Sequence, residues 1–330
     1  MPTGDGGHPD LTGGPLPAEG CLLAVHAHPD DETLSTGALL ATWSQAGRPV
    51  TVVTCTRGER GEVIGDELAH LEGDGPALAA HREGELADAL RALGVSDHLF
   101  LDQVASSDVE TSAARYTDSG MAWAGVGRAG PAAALPAGAF VAADLDAAAV
   151  RLAAVIRDRR PDVVVGYEPG GGYGHPDHIT AHRVVQRAVV LAELGELAGA
   201  EPFRVPVVLW AVLDAQLLRA GYAALAPLAH DRLVGPDPTG PLPAGAVEPE
   251  VVDVRVDVRP VVDRVLGALR AHRTQVHAVR AHGAGPLLGS LALSNDVLAP
   301  LLAVETYRYA VGREHGPVSW PVGVAAREGS

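Results

Sequence analysis

The sequence predicts an α/β protein with a doubly wound, mostly parallel, Rossmann-like sheet. Between residues 21 and 194, apolar segments of strand length alternate with segments of helical apolar spacing. The strand segments are near-continuous runs of Val, Leu and Ala, as expected of strands that are covered on both faces. With 330 residues, of which 47% are hydrophobic and only 4% aromatic, the chain can bury a large aliphatic core.

The elements follow one another in β-then-α order, and glycine ends two of the helices. Gly47 and Gly94 come directly after helical patterns, where glycine readily adopts the left-handed conformation of a helix terminus. The stretch from 102 to 145 is rich in Gly, Ala and Pro, which is typical of a functional or disordered segment. The predicted strands are 21–27, 50–56, 98–101 and 161–167, and the predicted helices are 34–46, 77–93, 145–159 and 178–194.

After residue 200 the pattern becomes less regular and predicts a smaller α+β portion. Its predicted elements are strands near 206–213 and 251–256, a Pro/Gly-rich linker at 235–249 and a helix at 260–278. We therefore expect a disordered tail at 1–20, an α/β catalytic domain at 21–200, the smaller portion at 201–315 packed on it, and a second tail at 316–330.

Charge and cysteine content exclude several classes of function. A net charge of −16 argues against a surface for nucleic acid or anionic membrane. Cys21 and Cys55 are the only cysteines, so we expect no disulfide framework and no cysteine zinc cluster. No apolar run reaches the roughly 18–20 residues of a membrane span, and the N-terminus lacks the apolar core of a signal peptide. These features predict a cytoplasmic protein.

The motif HAHPDDE at 26–32 directly follows the first predicted strand. His28 and Asp31 are suitably spaced to bind one ion from a tight turn, because catalytic zinc takes His and carboxylate ligands. Asp30 then points elsewhere and can act as a general base on the attacking water. The alternative is that Asp30 and Asp31 only cap the following helix.

A second motif, YGHPDH at 173–178, follows the fourth predicted strand. His178 begins a helix and can supply a third metal ligand. His175 can stabilise an oxyanion or protonate a leaving amine, with Asp177 orienting its ring and Tyr173 as a second donor. The alternative is a surface loop, but both motifs follow strands whose carboxyl ends share one edge of a parallel sheet.

Together, HPDDE and HPDH resemble the PIG-L/LmbE family of metal-dependent N-acetylglucosamine deacetylases. The stretches TRGERGEVIGD, TDSGMA, AHRTQV and LALSN are similar to the branch that acts in mycothiol biosynthesis. Enzymes of that branch hydrolyse the N-acetyl group of 1-D-myo-inosityl 2-acetamido-2-deoxy-α-D-glucopyranoside, giving acetate and glucosaminyl-inositol. The resemblance covers residues 21 to 311 and implies the LmbE-type fold.

Carried over position by position, the resemblance implies one divalent ion per chain and a small amino-sugar glycoside as the partner. The ligands would be His28, Asp31 and His178, and the general base Asp30. Zinc is the family's usual metal, although the same ligand set suits Fe(II). His175, Asp177 and Tyr173 would assist at the acetyl carbonyl. Sugar and inositol contacts would fall on Ser35, Glu62, Arg82, Asp118 and Met121.

Without the resemblance, Arg82 and Asp118 would be interpreted as solvated charges. Three other functions stay open at this point: a mycothiol S-conjugate amidase, a deacetylase of another amino sugar, and a non-catalytic sugar-binding module. Family relatives of the amidase kind tend to carry a Lys shortly after HPDDE, where this chain has LSTG. An intact Asp30, which a structural metal site does not require, argues against the non-catalytic module.

Overall fold

A computed structural model describes most of the chain. The described residues are 20–106, 108, 115–125, 128–195, 197–198, 200–230, 232–283 and 285–327. The expected N-terminal tail therefore lies outside the described residues, apart from Gly20.

Fourteen strands and seven helices are found among the described residues. The strands are β1 Leu22–His26, β2 Val50–Thr54, β3 Asp97–Phe100, β4 Met121–Gly125, β5 Arg128–Pro131, β6 Val163–Tyr167, β7 Val207–Asp214, β8 Ala246–Val247, β9 Val254–Asp257, β10 His277–Ala281, β11 Leu287–Ala292, β12 Leu298–Leu302, β13 Val304–Tyr309 and β14 Val324–Ala326. The helices are α1 Asp31–Gln45, α2 Gly75–Leu93, α3 Leu145–Arg159, the single turn α4 Gly171–Gly174, α5 Pro176–Glu193, α6 Ala215–Leu225 and α7 Val262–Ala271. None of the described helices is long and apolar enough to span a membrane.

The central sheet runs in the order β14-β9-β13-β7-β6-β1-β2-β3, with β8 added beside β7. Strand β1 is an interior strand of this sheet, parallel to both β2 and β6. Every residue of these three strands is buried, because helices cover both faces of the sheet. The prediction of an α/β protein with a doubly wound, mostly parallel sheet is confirmed.

The part of the chain after residue 200 adds strands to this sheet and also forms a small sheet of its own. Strand β7 is parallel to β6, whereas β13 is antiparallel to both β7 and β9. Strand β14, in the segment expected to be a tail, pairs with β9. A separate three-stranded sheet, β10-β11-β12, and a hairpin of β4 and β5 complete the pairing.

The helix predicted at 260–278 is wrong at its C-terminal end. Helix α7 ends at Ala271, and residues from His277 onwards form β10. His272 is fully buried against Glu32, 240 positions earlier, and the backbone N–H of Thr274 donates to Glu85 at 2.8 Å. These long-range contacts outweigh the local helical pattern, which therefore could not locate the helix end.

Glu305 of β13 bonds to the middle of α1. Its two carboxylate oxygens accept the backbone N–H groups of Ala38 and Leu39 at 2.9 Å, and the Tyr307 hydroxyl also donates to it. Burial raises the pKa of Glu305 from its ordinary 4.5 to about 7. Between those two pH values the folded chain binds more protons than the unfolded chain, so the stability contributed by the neutral acid falls as pH rises.

Glu305→Gln is expected to remove this pH dependence. From pH 4.5 to pH 7 the free energy of unfolding of the native protein should fall relative to that of the variant. The shift should be up to about 3 kcal/mol, less where solvent reaches the carboxylate. Urea unfolding of both proteins at several pH values measures it, and parallel stability curves would contradict the raised pKa.

Candidate active site

The two histidine motifs meet at one edge of the central sheet. Because β1 and β6 are adjacent and parallel, their carboxyl ends lie side by side. The segment His28–Pro29–Asp30 leaves β1, and α1 begins at Asp31. The glycine-rich loop leaves β6, and α5 begins at Pro176. The topology thus brings together side chains that lie about 150 positions apart in the sequence.

His28, Asp31 and His178 form a buried cluster. Oδ2 of Asp31 lies 3.2 Å from Nδ1 of His28 and 3.2 Å from Nε2 of His178. Nδ1 of His178 bonds at 3.2 Å to the carbonyl oxygen of Gly171, which only accepts, so Nδ1 carries a ring proton and Nε2 holds the lone pair when the ring is neutral. That Nε2 is buried and, although Asp31 Oδ2 lies 3.2 Å away, makes no hydrogen bond of acceptable geometry with a described residue. A cation is the partner that such a lone pair lacks.

Charges in the cluster are strongly perturbed. Burial alone would lower the pKa of His28, but Asp118, Asp177 and Asp31 together hold it well above its ordinary value. Burial alone would raise the pKa of Asp31, but His178 and His28 hold it well below. Carboxylates outnumber compensating cations here, so two imidazoles and a carboxylate fit a divalent ion such as zinc.

Two groups of side chains other than this cluster have possible ligand atoms that all lie within 4.8 Å of one another. They are His28–His175–His178 and His28–Asp118–Asp177. The carboxylates of the second group are already engaged by hydrogen-bond donors. Asp177 accepts from the Ser119 hydroxyl at 2.6 Å and from its N–H at 2.9 Å. The carboxylate of Asp118 accepts two backbone N–H groups.

Asp30 lies beside this cluster, with its backbone in an unusual conformation. Its φ is 109°, a value that non-glycine residues rarely adopt. Burial, followed by repulsion from Asp31, raises the pKa of its carboxyl group, whereas His272 and Arg82 act in the opposite direction. A carboxylate with a raised pKa is a stronger base, as the removal of a proton from water requires.

His175 lies against the other two imidazoles, with ring centroids 4.6 Å from His28 and 4.9 Å from His178. Burial, then His28 and His178, lower its pKa to about 2, so the ring is neutral. Its Nδ1 accepts the backbone N–H of Asp177 at 3.1 Å. The single ring proton is therefore on Nε2, and His175 can donate a hydrogen bond without being charged.

Asp177 bonds to His175 through its backbone and not through its side chain. The backbone N–H of Asp177 bonds to His175, whereas the carboxylate bonds to Ser119 and lies 3.2 Å from Nε2 of His28. The carboxylate thus faces the imidazole of a candidate metal ligand. The spacing of the motif could not tell whether the backbone or the carboxylate of Asp177 bonds to His175, because Asp177 lies between His175 and His178 in the sequence.

A cavity of about 310 Å³ opens over the cluster. Of the predicted site residues it is lined by His28, Asp30, Asp31, Tyr173, His175, Glu62, Arg82, Asp118 and Met121. Ser35 is not among its lining residues. It lines a neighbouring, mainly apolar cavity of about 320 Å³, which also reaches Asp31, Tyr173 and His178. The structure therefore separates Ser35 from the other predicted substrate contacts.

Arg82 and Asp118 are buried, which contradicts their interpretation as solvated charges. The guanidinium of Arg82 donates to the carbonyl oxygens of Gly58 and Glu62 and to the Thr274 hydroxyl. It therefore holds the loop that forms one wall of the cavity. Asp118 Oδ1 lies 3.7 Å from Nε2 of His28, so Asp118 is closer to the reacting end of the cavity than to its rim.

Comparison with known proteins identifies the family. Residues 23–189 match the family model described as "PIG-L: GlcNAc-PI de-N-acetylase". The chain belongs to the PIG-L family. It is 45% identical over 301 residues to a 1D-myo-inositol 2-acetamido-2-deoxy-alpha-D-glucopyranoside deacetylase of Kineococcus radiotolerans, covering 90% of this PIG-L chain and 79% of that relative. A relative of the same name from Rhodococcus opacus is 44% identical, with 87% and 90% covered.

A solved structure shares the fold of this PIG-L chain at low identity. GalB, the 4-carboxy-2-hydroxymuconate hydratase of Pseudomonas putida, gives a TM-score of 0.50 at 16% identity, covering 91% of this chain and 100% of GalB. Because GalB is a hydratase, the fold does not specify the reaction, and the side chains of the site must do so.

Sequence reasoning missed several residues of the cavity. Arg60 lies in the GERGEVIGD loop, and Gln275 and Asn295 lie in the AHRTQV and LALSN segments. These segments carried the family resemblance, but no chemical role was inferred for them. The buried pair of Glu32 and His272 was missed as well, although the HPDDE motif includes Glu32. No local pattern indicates this pair, because its members lie 240 positions apart.

Proposed function

We propose that this PIG-L protein hydrolyses the N-acetyl group of 1D-myo-inositol 2-acetamido-2-deoxy-α-D-glucopyranoside, releasing acetate and glucosaminyl-inositol. The observation that carries the proposal is that His28, Asp30, Asp31 and His175 line one cavity, with His178 3.2 Å from Asp31. Curated relatives of that activity, at 40–45% identity over most of the chain, support the choice of substrate.

We propose His28, Asp31 and His178 as the ligands of one divalent ion, with zinc as the preferred metal. The lone pair of His178 Nε2 and the shared position of Asp31 Oδ2 support this set over the two other groups. When bound, such an ion polarises a carbonyl group and lowers the pKa of water. These two effects are the contribution of the ion to amide hydrolysis.

Asp30 is the proposed general base. Its carboxylate takes one proton from the attacking water as the water oxygen bonds to the amide carbonyl carbon. When the C–N bond breaks, that proton is available for the departing amine, so Asp30 returns to its starting state. The raised pKa of Asp30 suits both transfers, because the group gains and loses the proton readily near neutral pH.

His175 and Tyr173 are the proposed hydrogen-bond donors to the carbonyl oxygen as negative charge develops on it. His175 is neutral with its proton on Nε2, so it stabilises the oxyanion by donating a hydrogen bond rather than as a cation. The Tyr173 ring contacts both His175 and His178, and burial raises the pKa of its hydroxyl well above the ordinary value. Tyr173 therefore remains a donor throughout the reaction.

The polar wall of the cavity supports a glycoside substrate. Glu62, Arg60 and Asn295 line it with groups that bond hydroxyls, while Met121 and Leu293 offer apolar surface to the faces of a ring. The decisive test compares kcat/KM for the inositol glycoside, N-acetylglucosamine and a mycothiol S-conjugate. The proposal requires the inositol glycoside to rank first. A higher value for the conjugate would reassign the protein as an amidase.

Glu62→Gln is expected to reduce selectivity without affecting the reaction at the acetyl group. The kcat/KM for the inositol glycoside should fall about 10-fold, as expected for loss of one hydrogen bond to a charged group. The value for N-acetylglucosamine should stay within about twofold, since that substrate lacks the inositol hydroxyls. Glu67→Gln, at an exposed residue outside the cavity, is the control. Equal losses on both substrates would contradict a role in recognition.

A further inference from the structure

The peptide group between Pro29 and Asp30 is held at both ends by partners from elsewhere in the fold. Its N–H donates to Oε2 of Glu32 at 2.9 Å. Its C=O accepts from Nε2 of Gln275 at 2.7 Å. These two bonds fix the plane of the peptide, and that plane sets the φ of Asp30 at 109°. Asp30 therefore has a backbone conformation that its own residue type does not favour.

Glu32 is in turn held by His272. Nε2 of His272 lies 2.7 Å from Oε1 of Glu32, and the Thr33 hydroxyl also donates to this oxygen. Both Glu32 and His272 are fully buried. An ionised carboxylate only accepts hydrogen bonds, so the donors around it determine which way each oxygen faces. With His272 on Oε1, Oε2 is left for the N–H of Asp30.

The segment after α7 supplies both holding residues. His272 directly follows α7, and Gln275 comes three positions later in the same turn. This turn is itself fixed by the bonds from Thr274 to Glu85. A part of the chain 240 positions distant from the HPDDE motif thus determines the direction of the Asp30 side chain.

We propose that His272, acting through Glu32, is a positioning residue for Asp30 and sets the conformation in which Asp30 takes the proton. The inference rests on the proposed role of Asp30 as general base. His272 does not line the cavity and is not in the candidate ligand groups, so it is not assigned contact with the substrate or the ion.

The test uses His272→Ala and His272→Gln with the inositol glycoside as substrate. His272→Ala should lower kcat about 10- to 100-fold, as for loss of an outer-shell partner, with KM within about twofold and the metal content unchanged. Gln places a donor of similar reach beside Glu32, so His272→Gln should restore most of kcat. His98→Ala removes a half-buried imidazole of β3, which bonds to Thr54 of β2, and should leave kcat unchanged.

The same substitution in a second background distinguishes positioning through Asp30 from a general effect. In the Asp30→Asn variant, adding His272→Ala should cause no further loss of kcat, because the side chain that it positions no longer acts as a base. If Asp30→Asn alone kept near-full activity, the proposed function of Asp30 would fail independently of His272.

Three results would overturn the proposal. One is an unchanged kcat in His272→Ala. Another is a further loss of kcat in the double variant as large as the loss in the native background. The third is failure of both His272→Gln and Glu32→Gln to give folded, metal-loaded protein, which would make the pair a purely structural element. Glu32→Gln keeps a single acceptor oxygen for three donors, so we expect it to fold with a reduced kcat.

Discussion

Asp30→Asn is expected to keep one divalent ion per chain and to lower kcat by about 10²- to 10⁴-fold, the usual contribution of a general base. The Asn side chain matches Asp in size but cannot take a proton from water. Asp30 is not one of the proposed ligands, so its replacement leaves the ligand set intact. Metal analysis and steady-state kinetics on the same preparation measure both quantities.

Two results would refute this division of roles between the paired carboxylates. Loss of the ion in Asp30→Asn would make Asp30 a ligand. Near-full activity would mean that another group takes the proton. Asp66→Asn, at an exposed residue of the loop that follows β2, is the matched control and should change neither quantity.

Replacement of the proposed ligands is the second change with a large expected effect. His178→Ala and Asp31→Ala should both lose the ion and nearly all activity, since each removes one of three donors. His175→Ala should keep the ion but lose activity, because we assign His175 to the carbonyl oxygen. Metal content per chain of the three variants, purified in parallel, distinguishes the alternative ligand groups that the geometry allows.

If His175→Ala lost the ion while Asp31→Ala kept it, the ligand set would be His28, His175 and His178. Reloading the metal-free native protein with zinc, or with Fe(II) in the absence of oxygen, tests the choice of metal. We expect zinc to restore activity at one equivalent per chain. Recovery with Fe(II) alone would overturn zinc as the metal, without affecting the ligand assignment.

The centre of the fold could be predicted because its signals are local. Strands β1, β2 and β6 are continuous apolar runs, and the polar motif after β1 and β6 falls where parallel strands place ligands. Beyond residue 200, strand pairing depends on residues distant in the sequence. No local pattern indicates that β13 lies between β7 and β9, or that β14 adds to the edge of the sheet.

The candidate site, like the fold, could be predicted only where its signals are local in the sequence. From residue type and strand position the motifs predict His28, Asp31 and His178 as candidate ligands, and the structure places the three in one buried cluster. They do not reveal that Asp177 uses its backbone N–H on His175, nor that Ser35 faces a different cavity. The burial of Arg82 and Asp118 also depends on loops from distant parts of the chain, since their partners are Gly58, Thr274 and Arg60.

Product analysis tests the central claim most directly. The purified metal-loaded protein is incubated with 1D-myo-inositol 2-acetamido-2-deoxy-α-D-glucopyranoside, and acetate, free primary amine and free inositol are quantified over time. We predict equimolar acetate and amine with no free inositol, and no acetate above background after removal of the metal. Release of inositol, or the absence of acetate from metal-loaded protein, would contradict the assignment as an N-deacetylase.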